Sequence, residues 1–468
     1  MIEQHTIRSL ADAIRARQIS PVEATRAYLD RIDRFDSTLR AFITVDREGA
    51  LRQAATLEVE VKAGRLRGPL HGVPLAYKDL CFISGLPTSC GTKTAEYFTD
   101  REDATVAARL AAAGAITLGK LNMTELALGP FGENQHHGDV QNPWKLGHVA
   151  GGSSSGSAAA VAAGLAAGAI GSDTGGSIRL PAACCGIVGV KPTYGRVSRS
   201  GVMPLSWSLD HIGPMTRTVV DAALMLTVVA GHDRRDATSS RRAVPDYVSR
   251  LARPPAALRI GVPENFYFDR LDAEVTATVQ TAAGVLATLG TKVGTVQVPD
   301  PAVLVGVSNI LARCESAAIH ARLIKERPHE LQPHVLARLE PGFHVSAHDY
   351  LQAQRLRARL ARTFVTEVFD AIDVLIAPTI PEPPPALEVA KAGTADDRVA
   401  RMGRFSRLTR PFNALGLPVV SVPTGFSADG RPIGMQLVGR PFAEATLLAL
   451  AHAYEQATPW AARRPNLG

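Results

Sequence analysis

The hydrophobic and polar positions of the chain change rhythm at about residue 70. Residues 1–65 carry a helical pattern, and Ser20-Pro21-Val22-Glu23 supplies an N-cap, a proline at the first helical position and an acid in the first turn. From Gly72 the texture becomes that of strands and helices in turn. Val73 to Lys78 is a short apolar strand ending in a lysine, 105–113 a helix stopped by Gly114, and 115–118 the next strand. The alternation continues with a helix over 158–167, a strand over 187–190 and a helix over 219–229. Residues 232–256 are polar and predict an exposed excursion, after which 258–262 resumes the strand pattern. Helices are expected over 272–290 and 302–369, strands over 373–378, 419–422 and 434–438, a proline-rich loop at 381–385 and a last helix over 444–456. This alternation predicts an α/β fold of layered helices and sheet, with no internal repeat and no domain boundary, hence one large domain over 1–468.

Composition narrows the class. Of 468 residues, 46% are apolar and 20% charged, the balance of a globular chain with ample core material. The net charge of +7 raises the question of nucleic acid, but no Lys/Arg-rich run is present, and the arginines at 355, 357, 359 and 362 fit a solvated helix face. Five cysteines, two of them adjacent at 184 and 185, fit neither a metal site nor a C-x-x-C pair and read as reduced, buried thiols. The charged N-terminal helix does not read as a signal peptide, and the apolar run 158–170 is too short to span a bilayer.

The chemistry concentrates in two glycine–serine loops, Gly151-Gly152-Ser153-Ser154-Ser155-Gly156-Ser157 and Gly171-Ser172-Asp173-Thr174-Gly175-Gly176-Ser177, which flank a helix of small residues. A flexible linker would not enclose a buried helix. A phosphate loop lacks its signature, since in the nearest match, Gly114 to Lys120, Leu121 stands where Ser or Thr is needed. Gly152-Ser153-Ser154-Ser155-Gly156 also fits G-x-S-x-G, but nothing local nominates the Asp and His which that nucleophile elbow needs. His329-Glu330-Leu331-Gln332-Pro333-His334 is one residue too long for H-E-x-x-H, and His136-His137 reads as a loop pair without a third ligand.

Taken together, the two loops closely resemble the amidase signature. The resemblance spreads to Gly72 through Asp79, Asn122 through Leu126, Asn142-Pro143-Trp144, Gly189 through Ser198, Gly416-Leu417-Pro418 and Gly434 through Leu437, covering nearly the whole chain and most densely residues 70–215. It implies an α/β fold in one domain with a mixed β-sheet of many strands, covered by helices on both faces. It also implies a catalytic triad of Lys78, Ser153 and Ser177, a cis peptide before Ser153, and an oxyanion hole from Thr174, Gly175 and Gly176. Ser154, Asp173 and Arg179 would support these groups, while Met123 and Phe131, with the loop from Gly129 to Asn134, would shape the substrate pocket. The chemistry is coherent: a serine needs a base, and a lysine is one only when burial keeps it neutral.

The function implied is hydrolysis of the C–N bond of a linear amide, aryl amide or carbamate through an acyl-enzyme on Ser177, with neither metal nor cofactor. A small-molecule amide is the expected partner, without nucleic acid or membrane, in the cytoplasm, and a homodimer is left open. The alternative is the glutaminase A subunit of glutamyl-tRNA(Gln) amidotransferase. Glu315 through His320 looks more like free-standing amidases, which favours the first reading.

Overall fold

The computed structural model describes residues 2–468 apart from 95, 97, 99–101 and 253–256; Met1 and the end of the polar excursion at 253–256 therefore lie outside the described residues. One 11-stranded mixed sheet organises the chain. Its strands are β1 (Phe42–Val45), β2 (Pro74–Lys78), β3 (Ile116–Leu121), β4 (Gly168–Asp173), β5 (Val188–Lys191), β6 (His211–Thr216), β7 (Arg259–Pro263), β8 (Lys292–Val296), β9 (Val374–Pro378), β10 (Val419–Phe426) and β11 (Pro432–Gly439). They lie in the order β1-β3-β2-β4-β6-β5-β10-β11-β9-β7-β8, with helices packed against them. The neighbours β3-β2-β4 and β8-β7-β9 are parallel, and the other pairs are antiparallel.

The central strands β2, β3 and β4 are buried at every position, as strands covered on both faces must be. The expected cap at Ser20 is present as a full capping box, with the Glu23 N–H donating to Ser20 Oγ at 3.0 Å and the Ser20 N–H to Glu23 Oε2 at 2.8 Å. The first 65 residues are not all helical, however. Asp36 accepts the Ala41 N–H at 2.7 Å, turning the chain out of helix Pro21–Leu39 so that β1 can pair with β3. The helix expected over 158–167 is Ser155–Ala162, and the Gly/Ala stretch after it forms β4 in the middle of the sheet. The helical region 302–369 is several helices, separated where prolines at 328, 333 and 341 forbid continuation.

Two placements matter for the site. Strands β2 and β4 are parallel neighbours with Tyr77 opposite Ile170, so the Lys78 end of one lies beside the Ser172-Asp173 end of the other. Helix Ser155–Ala162 lies very close to the chain around it: a Cβ on Gly156 would stand 2.2 Å from the Ala41 carbonyl oxygen, so only glycine fits there.

Candidate active site

The site is assembled at the carboxyl ends of two parallel strands, where strand ends in an α/β sheet leave a crevice. Lys78, the last residue of β2, is fully buried. Its Nζ donates to Ser153 Oγ at 2.6 Å and to Ser172 Oγ at 2.8 Å. Burial in the apolar interior lowers its pKa from 10.5 to about 7, against the weaker opposing pull of Cys81, Asp173 and Asp210. The peptide Gly152–Ser153 is cis, as the resemblance implies. The Ser154 N–H donates to the Ser177 carbonyl oxygen at 3.2 Å, tying the first glycine–serine loop to the second. Ser154 Oγ in turn donates to the Ser172 carbonyl oxygen at 3.1 Å and anchors the loop to β4.

Unlike Lys78 and Ser153, Ser177 is only half-buried, and it lines a cavity of about 40 Å³ with Gly129, Pro130, Gly152, Thr174 and Gly175. A larger cavity of about 350 Å³ does not reach Ser177; it touches Ser172 instead and shares the walls Thr174 and Leu205 with the smaller one. The smaller cavity is the better candidate for an acyl group, because Ser177, the expected nucleophile, lines it.

The loop between Asp173 and Ser177 is fixed by charge. The Asp173 carboxylate accepts the Gly176 N–H at 2.7 Å and Arg179 Nε at 2.9 Å. Burial alone would raise the Asp173 carboxyl; the Arg179 guanidinium beside it overrides this and holds it well below the usual carboxylate range. Arg179 is itself fully buried, and Gln436 accepts from its Nη1 at 2.9 Å. This arrangement corrects one expectation. The Gly176 N–H is spent on Asp173, whereas among the described residues no bond occupies the N–H groups of Thr174, Gly175 and Ser177. Gly176 keeps a conformational role, because its φ is +134° and a Cβ there would stand 2.3 Å from Thr409 Oγ1.

A second correction concerns the pocket. Gly129 and Pro130 line the small cavity, but Met123 and Phe131 do not. Both are fully buried in hydrophobic clusters, and the Phe131 ring packs on Phe405 at 5.2 Å. Several residues that the sequence did not flag stand close to the site. Ser172 holds Lys78. Asp210 accepts from Thr174 Oγ1 at 2.6 Å, and Thr409 Oγ1 donates to the Gly175 carbonyl oxygen at 2.6 Å. Arg338 and Arg410 line the Ser177 cavity. Ser172 lies inside the second glycine–serine loop and Asp210 not far beyond it, whereas Thr409, Arg338 and Arg410 come from distant segments.

Each histidine of the pair has a hydrogen-bond partner. His136 Nε2 lies 2.7 Å from Glu125 Oε1, and His137 Nε2 lies 3.0 Å from the Thr92 carbonyl oxygen. His334 meets Glu133 at 3.0 Å in the core. All five cysteines are free thiols; four are buried and Cys314 is half-buried. Glu315, in the stretch that looked like free-standing amidases, is a buried structural carboxylate. It accepts the Ser208 N–H at 3.0 Å and Tyr350 Oη at 2.9 Å. Helix Pro301–Ile319 is long and apolar enough by composition to cross a membrane, yet it packs on Ala347–Thr363 and Arg410–Ala414 and buries Leu304, Val307 and Leu311 in the fold.

The family model for Amidase matches residues 23–448. The glutamyl-tRNA(Gln) amidotransferase A subunit of Chromohalobacter salexigens is 42% identical over 99% of this chain and 98% of its own. The protein of the same name from Geobacter sp. strain M21 is 39% identical over 99% of both chains. A solved structure, described as coming from a vestigial protein complex that reveals the origins of an s-triazine catabolic enzyme, superposes with a TM-score of 0.91 at 34% identity, covering 97% of this chain and 98% of that one. These findings correct the expected partners. The full-length relatives are named as subunits of an enzyme of glutamyl-tRNA(Gln), so a small-molecule amide with no nucleic acid is not the picture they support. The match over nearly the whole chain, together with the loops that surround Lys78, Ser153 and Ser177, makes the chain a member of the amidase signature family.

Proposed function

We propose that the chain is the amide-hydrolysing A subunit of an amidotransferase, freeing ammonia from glutamine through an acyl-enzyme on Ser177 for transfer to glutamyl-tRNA(Gln), in the cytoplasm. The observation that carries the chemistry is the buried Lys78 amine, with a pKa of about 7 and its nitrogen 2.6 Å from Ser153 Oγ. In this reading neutral Lys78 takes the proton of Ser153, Ser153 takes that of Ser177, and Ser177 Oγ attacks the amide carbon. The N–H groups of Thr174, Gly175 and Ser177 receive the oxyanion, each worth about 2.7–4 kcal/mol by analogy with other oxyanion holes. The proton then returns from Lys78 through Ser153 to the departing nitrogen, which must be protonated to leave. The resulting ester on Ser177 is cleaved by water along the same relay.

This role within a complex is supported by relatives of that name at about 40% identity along their full length. A free-standing hydrolase, the first expectation from the sequence, is the weaker reading for the same reason. The test is ammonia release from glutamine by the full chain, alone and with its co-expressed partner subunits. Fluorophosphonate should label Ser177 and stop the release, and Ser177→Ala should lose both. Glutamine hydrolysis that survives Ser177→Ala would overturn the proposal.

A further inference from the structure

The cavity of about 350 Å³ has no part in the chemistry described above, yet it touches Ser172, the residue that holds the base. Its volume falls in the range of small-molecule sites, which are mostly apolar with a few placed polar groups. Leu80, Met203, Leu205 and Ile212, all buried, form its inner walls, and Ser172 and Thr174 stand among them. At its outer end are Trp207, 45% exposed, and the exposed Arg235 and Thr238 of the polar segment that begins at residue 232.

The charges around this space already have partners. Arg199 Nε lies 3.8 Å from Asp236 Oδ2, and Arg235 Nη1 lies 3.1 Å from Glu102 Oε2. Asp210 accepts Thr174 Oγ1 at 2.6 Å and the N–H groups of Leu205 and Ser206 at 2.9 Å each. The lining arginines, 199 and 235, are matched in number by the lining aspartates, 210 and 236. A charged ligand would lose its water and gain no free counter-charge, so the complementary ligand is uncharged and largely apolar.

One donor on the wall is unspent. Ser172 Oγ, in a residue 5% exposed, accepts from Lys78 Nζ at 2.8 Å, and among the described residues nothing accepts its own hydroxyl proton. A hydroxyl combines one donor with two acceptor lone pairs, so this proton turns either to an acceptor in the cavity or back onto Lys78. The direction matters to the relay. A neutral amine has a single lone pair, which must face Ser153 to take its proton. Ser172 must then accept an N–H of Lys78 with its own O–H turned away. An O–H turned onto Nζ would occupy the lone pair and stall the transfer.

We propose that this cavity is a regulatory site for an uncharged, largely apolar carbonyl compound, whose oxygen accepts the Ser172 O–H and thereby keeps the Lys78 lone pair on Ser153. A ligand of the same shape without that oxygen fills the space and leaves the O–H no acceptor but Lys78, so it inhibits. The cavity does not reach Ser177, and both effects therefore fall on kcat rather than on KM. The control of rate rests on Lys78 as the base and Ser177 as the nucleophile, whereas the binding does not.

The experiment compares acetophenone with α-methylstyrene, which has the same shape but carries C=CH2 in place of C=O; the aromatic ring suits Trp207 at the outer end. Calorimetry on the full Ser177→Ala chain should show both binding, with glutamine displacing neither. Adding Ser172→Ala should weaken acetophenone roughly 3- to 10-fold, the range of one hydrogen bond, and leave α-methylstyrene unchanged. Ammonia release from glutamine is then followed in the full chain with its co-expressed partner subunits. At saturation, kcat should be roughly 3- to 10-fold lower with α-methylstyrene than with acetophenone, at the same KM. This comparison needs no variant. In Ser172→Ala the two ligands should act alike, and Val202→Phe, in the cavity wall, should abolish both effects while keeping glutamine hydrolysis. Failure of both ligands to bind, displacement of acetophenone by glutamine, or equal action of the two on kcat in the native chain would each overturn the site. If the native chain releases no ammonia from glutamine while acetophenone binding still depends on Ser172, the function proposed above fails and the site stands.

Discussion

A neutral lysine in the core makes a thermodynamic prediction as well as a kinetic one. Lys78→Met replaces the amine by a side chain of similar length with no charge to desolvate. In the native protein the amine titrates at about 7, while in the unfolded chain it returns to about 10.5. Between those values the unfolded chain holds one proton more than the native one, so this group makes stability rise with pH across the window. Its penalty is complete below about pH 7, on the order of 5 kcal/mol, and gone above about pH 10.5. The variant carries no such term. It does leave the hydroxyls of Ser153 and Ser172 facing a thioether, but that loss does not vary with pH in this range. The stability of Lys78→Met relative to the native protein should therefore fall by about 2–3 kcal/mol between pH 7.5 and 9.5. At about 2.1 cal/mol/K per residue, 468 residues convert this to roughly 2–3 °C in relative melting temperature. Paired thermal melts of the two proteins at the two pH values give the answer. A difference in melting temperature that does not move with pH would mean that the native lysine is charged, and the relay would lose its base.

Four further outcomes follow from the same contacts. Ser172→Ala removes an acceptor that favours the ammonium form of Lys78, so the acid limb of the kcat profile should move below pH 7 as the maximum rate falls; a pH–rate series checks this. Arg179→Met strands the buried Asp173 carboxylate and should cost roughly 3–5 kcal/mol, read by chemical denaturation, whereas Ser154→Ala should cost only about 1–2 kcal/mol for one hydroxyl anchor. Gly176→Ala places a Cβ against Thr409 at a φ that L residues avoid, and should remove amide hydrolysis even where the protein still folds; measurable turnover by that variant would show the loop to be freer than drawn.

Much of the fold was legible in the sequence because its strands and helices differ in period and its helix starts are chemically marked, as at Ser20. The failures share one cause. Strand β4 reads Gly-Ala-Ile-Gly-Ser-Asp, a composition with little intrinsic preference for strand, and it is a strand because β2 and β6 pair with it on either side. Strand β1 is four residues in a helical neighbourhood, and its partner β3 lies some 75 positions away. The triad candidates were visible as a pattern of small residues around Lys78, Ser153 and Ser177. Ser172 lay inside the same motif, yet nothing in its surroundings distinguished it from the other serines. Met123 and Phe131 were misplaced because an apolar residue near a catalytic loop lines either pocket or core, and only the packing of Phe405 on Phe131 decides.

The hidden part of the site is its frame. Asp173 is reached by Arg179 from the following helix and by Asn413 Nδ2, at 2.8 Å, from a segment 240 positions away. Gln436 on β11 completes the shell around Arg179, and Thr409 closes the loop from above. Four charged or amide side chains buried together would be a liability in isolation; here each is met by a partner, and the carboxylate is spent in part on the backbone of the loop that carries Ser177. The same segment that supplies Thr409 and Asn413 also carries Arg410 into the Ser177 cavity. A displacement of residues 409–413 would thus disturb the loop from Asp173 to Ser177 and the wall of the cavity that Ser177 lines together.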